Sequence, residues 1–495
     1  MRTFLASRWA LLIAPLAGLS LPLAFAPYRL WPLGILAPAL LFAIVRAAPR
    51  RRALQAGYLF GLSYFGFGCY WVYYSIAYYG GGWWAAAFVT PLFALAIALY
   101  PLLAVYLARK LGGVSDAAAL WLTYPAAWLL VEWFRSWFLT GSTWLMLGFT
   151  QTDGPLAPVA PVFGAFGISL VLAVLAGALA HALLRPRAAV WLVPAAAVAF
   201  GGAWLLPTDW TQPAGQPQTA VLLQGDVPQD QKWLEEYRDR TLNWYSRQSL
   251  EHAGADLIVW PETAVPTWYY QVKQTRMHPL AQELAQQGSA LLVGAPVIDI
   301  QKEAAYNAVV RVGPPDVYYY KRHLVPFGEY LPLRSVLGNA LDFLGAPMND
   351  FAAGTSAAPL PVDGYKAGVS ICYEVTFGDE IAESLPAANV LVNVSNDGWF
   401  GDTPAPHQHL QMAQMRALET QRYMLRATNT GVTAIIDDHG HIRDRTKQFV
   451  KASLTGTFVP RSGATPYVRW LDWPAVGAAV AMLIAGLVLG RRRGS

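Results

Sequence analysis

Eight long apolar segments dominate this sequence and limit what it can fold into. Seven precede residue 210 and one closes the chain, and each is close to the ~20 residues that a helix needs to cross a bilayer. Their positions are 9–26, 31–47, 56–78, 84–108, 117–134, 159–184, 188–206 and 473–490. With 55% hydrophobic and only 14% charged residues, the chain has too little charge to cover a soluble surface. We therefore expect an α-helical membrane domain of eight spans.

The first apolar segment also has features of a signal peptide. Arg2 and Arg8 precede it, and Ala24-Phe25-Ala26 has the small-residue pattern of a cleavage site. Pro27 follows that site directly and argues against cleavage. We therefore expect the first segment to be retained as a span.

Basic residues fall at alternate ends of the apolar segments and predict their orientation. The clusters are Arg2 and Arg8, Arg46 to Arg52, Arg109-Lys110, Arg185 to Arg187, and Arg491 to Arg493. The positive-inside rule then places both termini in the cytoplasm and residues 208–470 on the outer side of the membrane. This is the arrangement of a multi-pass membrane protein with a domain on the outer side. The net charge of +5 is not gathered into a stripe, so no nucleic-acid partner is expected.

From about residue 219 the sequence alternates between short strands and helices. We predict strands at 219–224, 256–260, 290–294, 305–312, 316–320, 367–371, 389–394, 431–437 and 453–459, and helices at 231–253, 279–287 and 406–425. This pattern indicates an α/β layered domain. The predicted order is a membrane domain at 1–207, a linker at 208–218, the α/β domain at 219–465, the eighth span at 473–490 and a cytoplasmic tail at 491–495.

Three polar residues each follow a predicted strand, namely Glu262, Lys321 and Cys372. Strand ends converge on one edge of a layered α/β domain, so these side chains are expected to meet. A carboxylate can take the proton of a thiol, and an ammonium group can stabilise the oxyanion that a thiolate attack creates. A buried structural cysteine and a solvent-exposed ion pair remain alternative interpretations. With Cys69 as the second of two cysteines, a disulfide framework is excluded.

The segments around these residues resemble the three signatures of the nitrilase superfamily. They are Trp260–Thr263, Lys321–Tyr330 and Ile371–Glu374. The full motif sequences are similar to those of the membrane-bound branch of that superfamily, the apolipoprotein N-acyltransferases. The same resemblance extends to Val394–Asp402, Pro406–Met412 and Arg426–Val432. It implies a nitrilase-like α-β-β-α sandwich with a Glu-Lys-Cys triad.

The resemblance also implies a role for each matched residue. The implied general base, oxyanion partner and nucleophile are Glu262, Lys321 and Cys372. Glu329 corresponds to an additional glutamate that orients the lysine. The implied substrate-binding residues are Trp233, Tyr373 and Glu374.

The implied activity is a two-step acyl transfer without a cofactor. A membrane phospholipid acylates the cysteine as a thioester, and the N-terminal amine of a diacylglyceryl-cysteine in an apolipoprotein then accepts the acyl chain. Two other functions remain open: a membrane-tethered amidase or nitrilase, and a transporter whose outer domain only binds substrate. The hydrolase should act on a soluble substrate when residues 208–470 are expressed alone, and the transporter should survive the loss of Cys372.

Several further residues invite interpretation. His407 and His409 point apart at i, i+2 on a helix and have no evident third ligand, so we expect no metal site. The aromatic stretches Tyr70–Trp84 and Trp133–Trp144 fit an interfacial belt or a lipid-facing entrance. Glu132, near a predicted span end, is expected to extend its carboxylate to the interface.

Overall fold

The computed structural model describes residues 1–330 and 350–491, which divide into two compact units. One unit contains residues 1–73, 87–208 and the chain from residue 469, and the other contains residues 74–86 and 209–468. Part of the aromatic stretch 70–84 therefore belongs to the second unit. Residues 492–495 of the predicted tail lie outside the described residues.

The first unit is helical, as its apolar segments predict. Its main helices are Arg2–Leu5, Ala10–Ser20, Leu33–Ala47, Arg50–Gly68, Leu99–Leu111, Tyr124–Trp137, Ala160–Leu184 and Trp473–Arg491, while Trp71–Tyr79 and Gly82–Ile97 cross the boundary between the units. Within the described residues, four helical stretches are long and apolar enough to cross a membrane: Gly82–Leu111, Ala157–Leu184, Pro186–Trp204 and Trp473–Gly490. The predicted membrane domain is thus confirmed in part, and eight spans stay a prediction.

The remaining predicted spans have other forms. Residues 9–26 and 31–47 give shorter apolar helices, Ala10–Ala24 and Leu33–Ala47. Residues 56–78 are divided between Arg50–Gly68 and Trp71–Tyr79.

Glu132 does not reach the interface as predicted. Its side chain is buried, and its Oε1 accepts a hydrogen bond of 2.8 Å from the backbone N–H of Leu147. Arg135, one turn later, is also buried and donates to the carbonyl of Trp144 at 2.7 Å. The two side chains satisfy backbone groups of the irregular segment that follows their helix, which explains why charged groups are retained inside an apolar unit.

The second unit contains fourteen strands among the residues that the structure describes. In chain order, β1 to β14 are Thr211–Pro213, Gln218–Gln224, Leu257–Val259, Ala290–Asp299, Ala304–Arg311, Val317–Tyr320, Leu360–Val362, Tyr365–Ile371, Val390–Ser395, Met424–Thr428, Ala434–Ile436, Ile442–Arg445, Ala452–Phe458 and Arg461–Gly463. Two six-stranded sheets form, in the orders β13-β2-β3-β4-β5-β6 and β12-β11-β10-β9-β8-β7. A separate pair, β1 and β14, closes the chain ends of the unit.

Alternating apolar residues explain how these sheets stack. In β2, Ala220 and Leu222 join a core shared by both sheets, while Val221 and Leu223 join a second core on the outer face. The helices Glu235–Glu251 and His278–Gln286 cover that outer face, and Ala405–Thr420 covers the outer face of the other sheet. Strands buried on both faces need nearly continuous apolar runs, as this sequence has. The layers agree with the expected α-β-β-α sandwich.

Two predicted segments require correction. The helix predicted over 406–425 ends at Thr420, and the strand β10 follows it. The reversal occurs at Gln421, whose φ of 48° is left-handed. The predicted linker 208–218 contains β1, which pairs with β14.

Candidate active site

The strand directions bring the predicted catalytic residues to one edge of the sandwich. β3 is parallel to β4, and β5 and β6 follow antiparallel in turn, so β3 and β6 point the same way. Glu262 follows β3 and Lys321 directly follows β6. Cys372 directly follows β8 of the other sheet. All three residues therefore follow strand ends, and their catalytic roles stay predictions.

Four polar side chains form one cluster, and they come from β5 and from the segments that follow β3 and β6. Lys321 Nζ lies 2.7 Å from Glu329 Oε2 and 3.8 Å from Glu262 Oε1. Asn307, in the middle of β5, donates from Nδ2 to Glu262 Oε1 at 2.8 Å and to Glu329 Oε1 at 3.0 Å. The lysine is fully buried, with 1% of its surface exposed. Its ammonium and the Asn307 amide fix the relative positions of both carboxylates.

The pKa values of Lys321 and Cys372 are both raised, the first by neighbouring charges and the second mainly by burial. Burial disfavours the ammonium of Lys321, but the carboxylates of Glu329 and Glu262 outweigh it and hold the pKa of Lys321 well above its usual range. Burial and, to a smaller extent, the charge of Glu262 raise the pKa of Cys372 to about 12, although Lys321 opposes the shift. At neutral pH the site therefore holds a charged lysine beside a protonated thiol.

Cys372 occupies a strained turn directly after β8. Its φ is 51°, in the left-handed region that residues other than glycine seldom adopt. The short helix Cys372–Thr376 begins at this residue. The left-handed conformation costs about 1–3 kcal/mol and persists only where its surroundings impose it.

Glu374 is one of the groups that impose this turn. Its Oε2 accepts from the backbone N–H of Ile371 at 2.6 Å and from the Tyr319 hydroxyl at 2.9 Å. Its Oε1 accepts from the backbone N–H groups of Arg322 and His323 at 2.6 and 3.1 Å. With four donors and 1% exposure, Glu374 has the geometry of a positioning residue that joins the Cys372 turn to the segment after Lys321. Its predicted contact with substrate stays a prediction.

The other two predicted substrate-binding residues are accessible. Trp233 is 52% exposed, and Tyr373 is half-buried, with its ring against His323 and Phe377. His323 in turn lies 2.6 Å from Glu380 and stacks on Phe377, so it packs beside the site.

A buried network that was not predicted from the sequence supports the backbone of Cys372. His409 Nε2 lies 3.1 Å from the carbonyl oxygen of Cys372, so this nitrogen must carry a proton. His409 Nδ1 lies 3.0 Å from Asp397 Oδ1. Arg426 Nη2 donates to Asp397 Oδ2 at 2.9 Å, and the Ser395 hydroxyl donates to Asp397 Oδ1 at 2.8 Å. Burial opposes the charge of Asp397, but Arg426 and His409 outweigh it and lower its pKa.

The same network brings a potential metal-ligand group together. Ligand atoms of Cys372, Asp397 and His409 lie within 4.8 Å of one another. Each of the latter two already has protein partners, and the Arg426 guanidinium occupies the position of a cation beside Asp397. Hydrogen bonding thus accounts for this group. His407 points elsewhere, with its Nε2 3.4 Å from Gln448.

Part of the aromatic stretch packs beside this network. Within the second unit, the Ser75 hydroxyl donates to the carbonyl of Trp399 at 2.6 Å, and the Tyr79 ring lies 5.3 Å from the Trp399 ring. Tyr74 lies against Gly401, where φ is 58°. Trp399 follows Asp397 by two residues, so the stretch 74–79 contacts the loop that carries the network below Cys372.

The missed residues differ in how readable they are. Asn307 is a polar residue within the apolar strand β5, and such a residue is normally buried only with a partner. His409 and Asp397 lie in segments that resemble the family's motifs, but the resemblance gave neither residue a role. Lys232 is buried next to exposed Trp233, and nothing in the local pattern distinguishes it.

Comparison with known proteins assigns both units. A model of the apolipoprotein N-acyltransferase N-terminal domain matches residues 17–179, and a carbon-nitrogen hydrolase model matches residues 220–462. A curated apolipoprotein N-acyltransferase of Methylococcus capsulatus is 48% identical over 98% of this chain and 96% of its own length. Its counterpart in Pseudomonas putida is 41% identical over 97% of each. A solved carbon-nitrogen hydrolase superfamily protein from Xanthomonas campestris aligns with 54% of this chain and 97% of its own, at 16% identity and a TM-score of 0.37.

Proposed function

The chain belongs to the apolipoprotein N-acyltransferase family, and on that premise we propose that it moves an acyl chain from a membrane phospholipid to an apolipoprotein through a thioester on Cys372. The acceptor is the N-terminal amine of a diacylglyceryl-cysteine. The observation that carries the proposal is the buried Lys321 between two carboxylates, acting on a thiol held at a left-handed turn.

In the first half-reaction Glu262 takes the proton of Cys372 and the thiolate attacks the ester carbonyl of the phospholipid. The carbonyl π electrons move to oxygen, and the Lys321 ammonium stabilises that oxyanion. When the oxyanion collapses, the ester C–O bond breaks and the lysophospholipid oxygen takes the proton from Glu262. A thioester and an ionised Glu262 remain.

In the second half-reaction the deprotonated amine of the acceptor attacks the thioester carbonyl. Glu262 accepts a proton from the attacking nitrogen, the C–S bond breaks, and the thiolate recovers its proton from Glu262. The product is an amide, and the enzyme returns to its starting protonation state. Lys321 stays charged throughout, because Glu329 and Glu262 hold its proton.

Two features support the assignment of Glu262 as the base. The thiol has a pKa of about 12, so it needs a neighbouring acceptor for its proton. Glu262 is oriented by Asn307, and its carboxylate lies 3.8 Å from Lys321 Nζ, farther than the 2.7 Å of Glu329, so it is the less tightly paired of the two carboxylates. Glu329 is instead held by Lys321, Asn307 and the backbone N–H of Val325, which suits an orienting role.

Mass spectrometry of the full-length enzyme tests the proposal. Incubation with phospholipid alone should add one acyl chain to Cys372, and a diacylglyceryl-cysteinyl peptide with a free amine should remove it. An acetylated peptide is the matched control and should leave the adduct in place. The absence of any adduct on Cys372 in an enzyme that still acylates the peptide would refute the thioester route.

We also propose that residues 209–468 lie on the outer side of a bacterial inner membrane. The alternation of basic clusters supports this orientation. An alkaline phosphatase fusion near residue 300 should then be active, and one near residue 187 should be inactive. The reverse pattern would contradict the proposed topology.

A further inference from the structure

The site contains a second buried lysine that the reaction described above does not use. Lys232 is 2% exposed, and its Nζ donates to the backbone carbonyl of Glu262 at 3.1 Å and to the hydroxyl of Thr263. Its bonded acceptors are thus the residue assigned as the base and the residue after it. Neither acceptor is charged, which makes Lys232 different from Lys321 and its two carboxylates.

The segment that Lys232 holds is strained. Thr263 has a φ of 47°, and a β-branched residue rarely adopts this left-handed conformation. Gly294 of β4 also approaches this turn, so closely that an added Cβ would lie 2.8 Å from Glu262 Cα and Thr263 N. The turn is therefore held by the close packing of Gly294 and by the hydrogen bonds from the Lys232 ammonium. A strained conformation persists only where its surroundings impose it in this way.

The charges of the site provide a second argument. Glu262, Glu329 and the thiol of Cys372 are acidic groups of the cluster, and Lys321 alone would leave it with one excess negative charge when both carboxylates are ionised. Lys232 supplies a second cation, on which both Glu262 and Cys372 act electrostatically. Asp226 and Asp230 lie on its own loop. A balanced site carries less cost when an oxyanion forms in it.

We propose that Lys232 is a positioning residue of the reaction. It orients the Glu262 carboxylate by holding the Glu262–Thr263 turn, and its charge balances the excess negative charge of the two carboxylates beside Lys321. The inference rests on the proposed role of Glu262 in forming the thioester. It gives the buried lysine a task in the first half-reaction, before any acceptor arrives.

The protonation state of Lys232 makes the proposal measurable. Burial lowers the pKa of Lys232 to about 8, and the charges of Glu262 and Cys372 oppose this shift. The lysine is therefore largely charged at pH 7 and loses its charge as the pH rises through about 8. The rate of acylation should fall over that interval. The pKa values of Lys321 and Cys372 lie far above it.

The test is the rate of acyl-adduct formation on Cys372 with phospholipid alone, measured by mass spectrometry between pH 6 and 9.5. In the wild type the rate should decline above about pH 8. Lys232→Met should be ~10–100-fold slower at pH 7, because a misplaced catalytic group costs that much, and should show no decline. Lys232→Arg keeps the charge at all these pH values and should recover most of the rate without the decline.

Two further variants keep the test decisive. Lys302→Met removes an exposed lysine of the same unit and should behave as the wild type. Thr263→Val removes the hydroxyl that accepts from Lys232 and keeps the charge of the lysine. It should therefore slow acylation and retain the decline in rate above about pH 8. If Lys232→Met does not fold, this variant tests the positioning role instead. A wild-type rate in Lys232→Met, or a decline that persists in Lys232→Arg, would overturn the proposal. Failure of the wild type itself to form an adduct would instead refute the proposed function.

Discussion

Replacing Glu262 with glutamine removes the proposed base with little change of shape. Asn307 Nδ2 donates to Glu262 Oε1 at 2.8 Å, and a glutamine oxygen can accept the same hydrogen bond. The Lys232 bond goes to the backbone carbonyl and is kept. We therefore expect Glu262→Gln to fold and to form the same turn, but to lack a group that takes the proton of Cys372.

The expected loss follows from the thiol. With a pKa of about 12, the Cys372 thiol is ionised in a fraction of only about 10⁻⁵ of molecules at pH 7, so its deprotonation needs a neighbouring acceptor. General bases typically contribute ~10²–10⁴-fold, so a loss of that size in acylation is expected. The remaining rate should rise about tenfold per pH unit between pH 6 and 8, because thiolate must then come from solvent deprotonation.

Single-turnover acylation by phospholipid, followed as the mass increase at Cys372, measures this rate. Glu283→Gln is the matched control, since Glu283 is exposed on the helix His278–Gln286, and it should leave the rate unchanged. If Glu262→Gln acylates within about tenfold of the wild type at pH 7, or if its rate does not depend on pH, Glu262 is not the base.

Three further substitutions test other parts of the site. Cys372→Ala should abolish transfer by several orders of magnitude and leave the protein folded, whereas Cys69→Ala should be nearly silent in the same lysophospholipid assay. Glu374→Gln should lower the free energy of unfolding by about 1–3 kcal/mol in denaturant titration, because an amide N–H₂ then faces two of the four donors. An unchanged midpoint would contradict that assignment. His409→Phe removes the hydrogen bond to the Cys372 carbonyl and should lower kcat with little change in KM, and a change confined to KM would place His409 in substrate binding instead.

The fold of the second unit was largely readable because its strands are buried on both faces. The alternation of Ala220, Val221, Leu222 and Leu223 between two cores leaves a continuous apolar run, which the sequence shows directly. The end of the helix Ala405–Thr420 was not readable. Its stop is a left-handed Gln421, where glycine would normally mark the position, so the prediction continued into β10.

The residues alone made the candidate site predictable at strand ends, and the family resemblance added Glu329 and Glu374. Glu262, Lys321 and Cys372 follow β3, β6 and β8, and this placement could be inferred from the sequence. Asn307 and Lys232 act through contacts made between distant segments, and such contacts depend on sheet order and register. Local pattern carries no information on either.

If the thioester on Cys372 persists until an acceptor amine arrives, the yield of lysophospholipid per mole of enzyme shows it most directly. With phospholipid alone we expect a burst of about one lysophospholipid per active enzyme, as covalent ping-pong catalysis requires. Addition of a diacylglyceryl-cysteinyl peptide with a free amine should restart release, and the acetylated peptide should not. Continuous release of lysophospholipid without acceptor would mean that water takes the acyl chain, and it would contradict the assignment as a transferase.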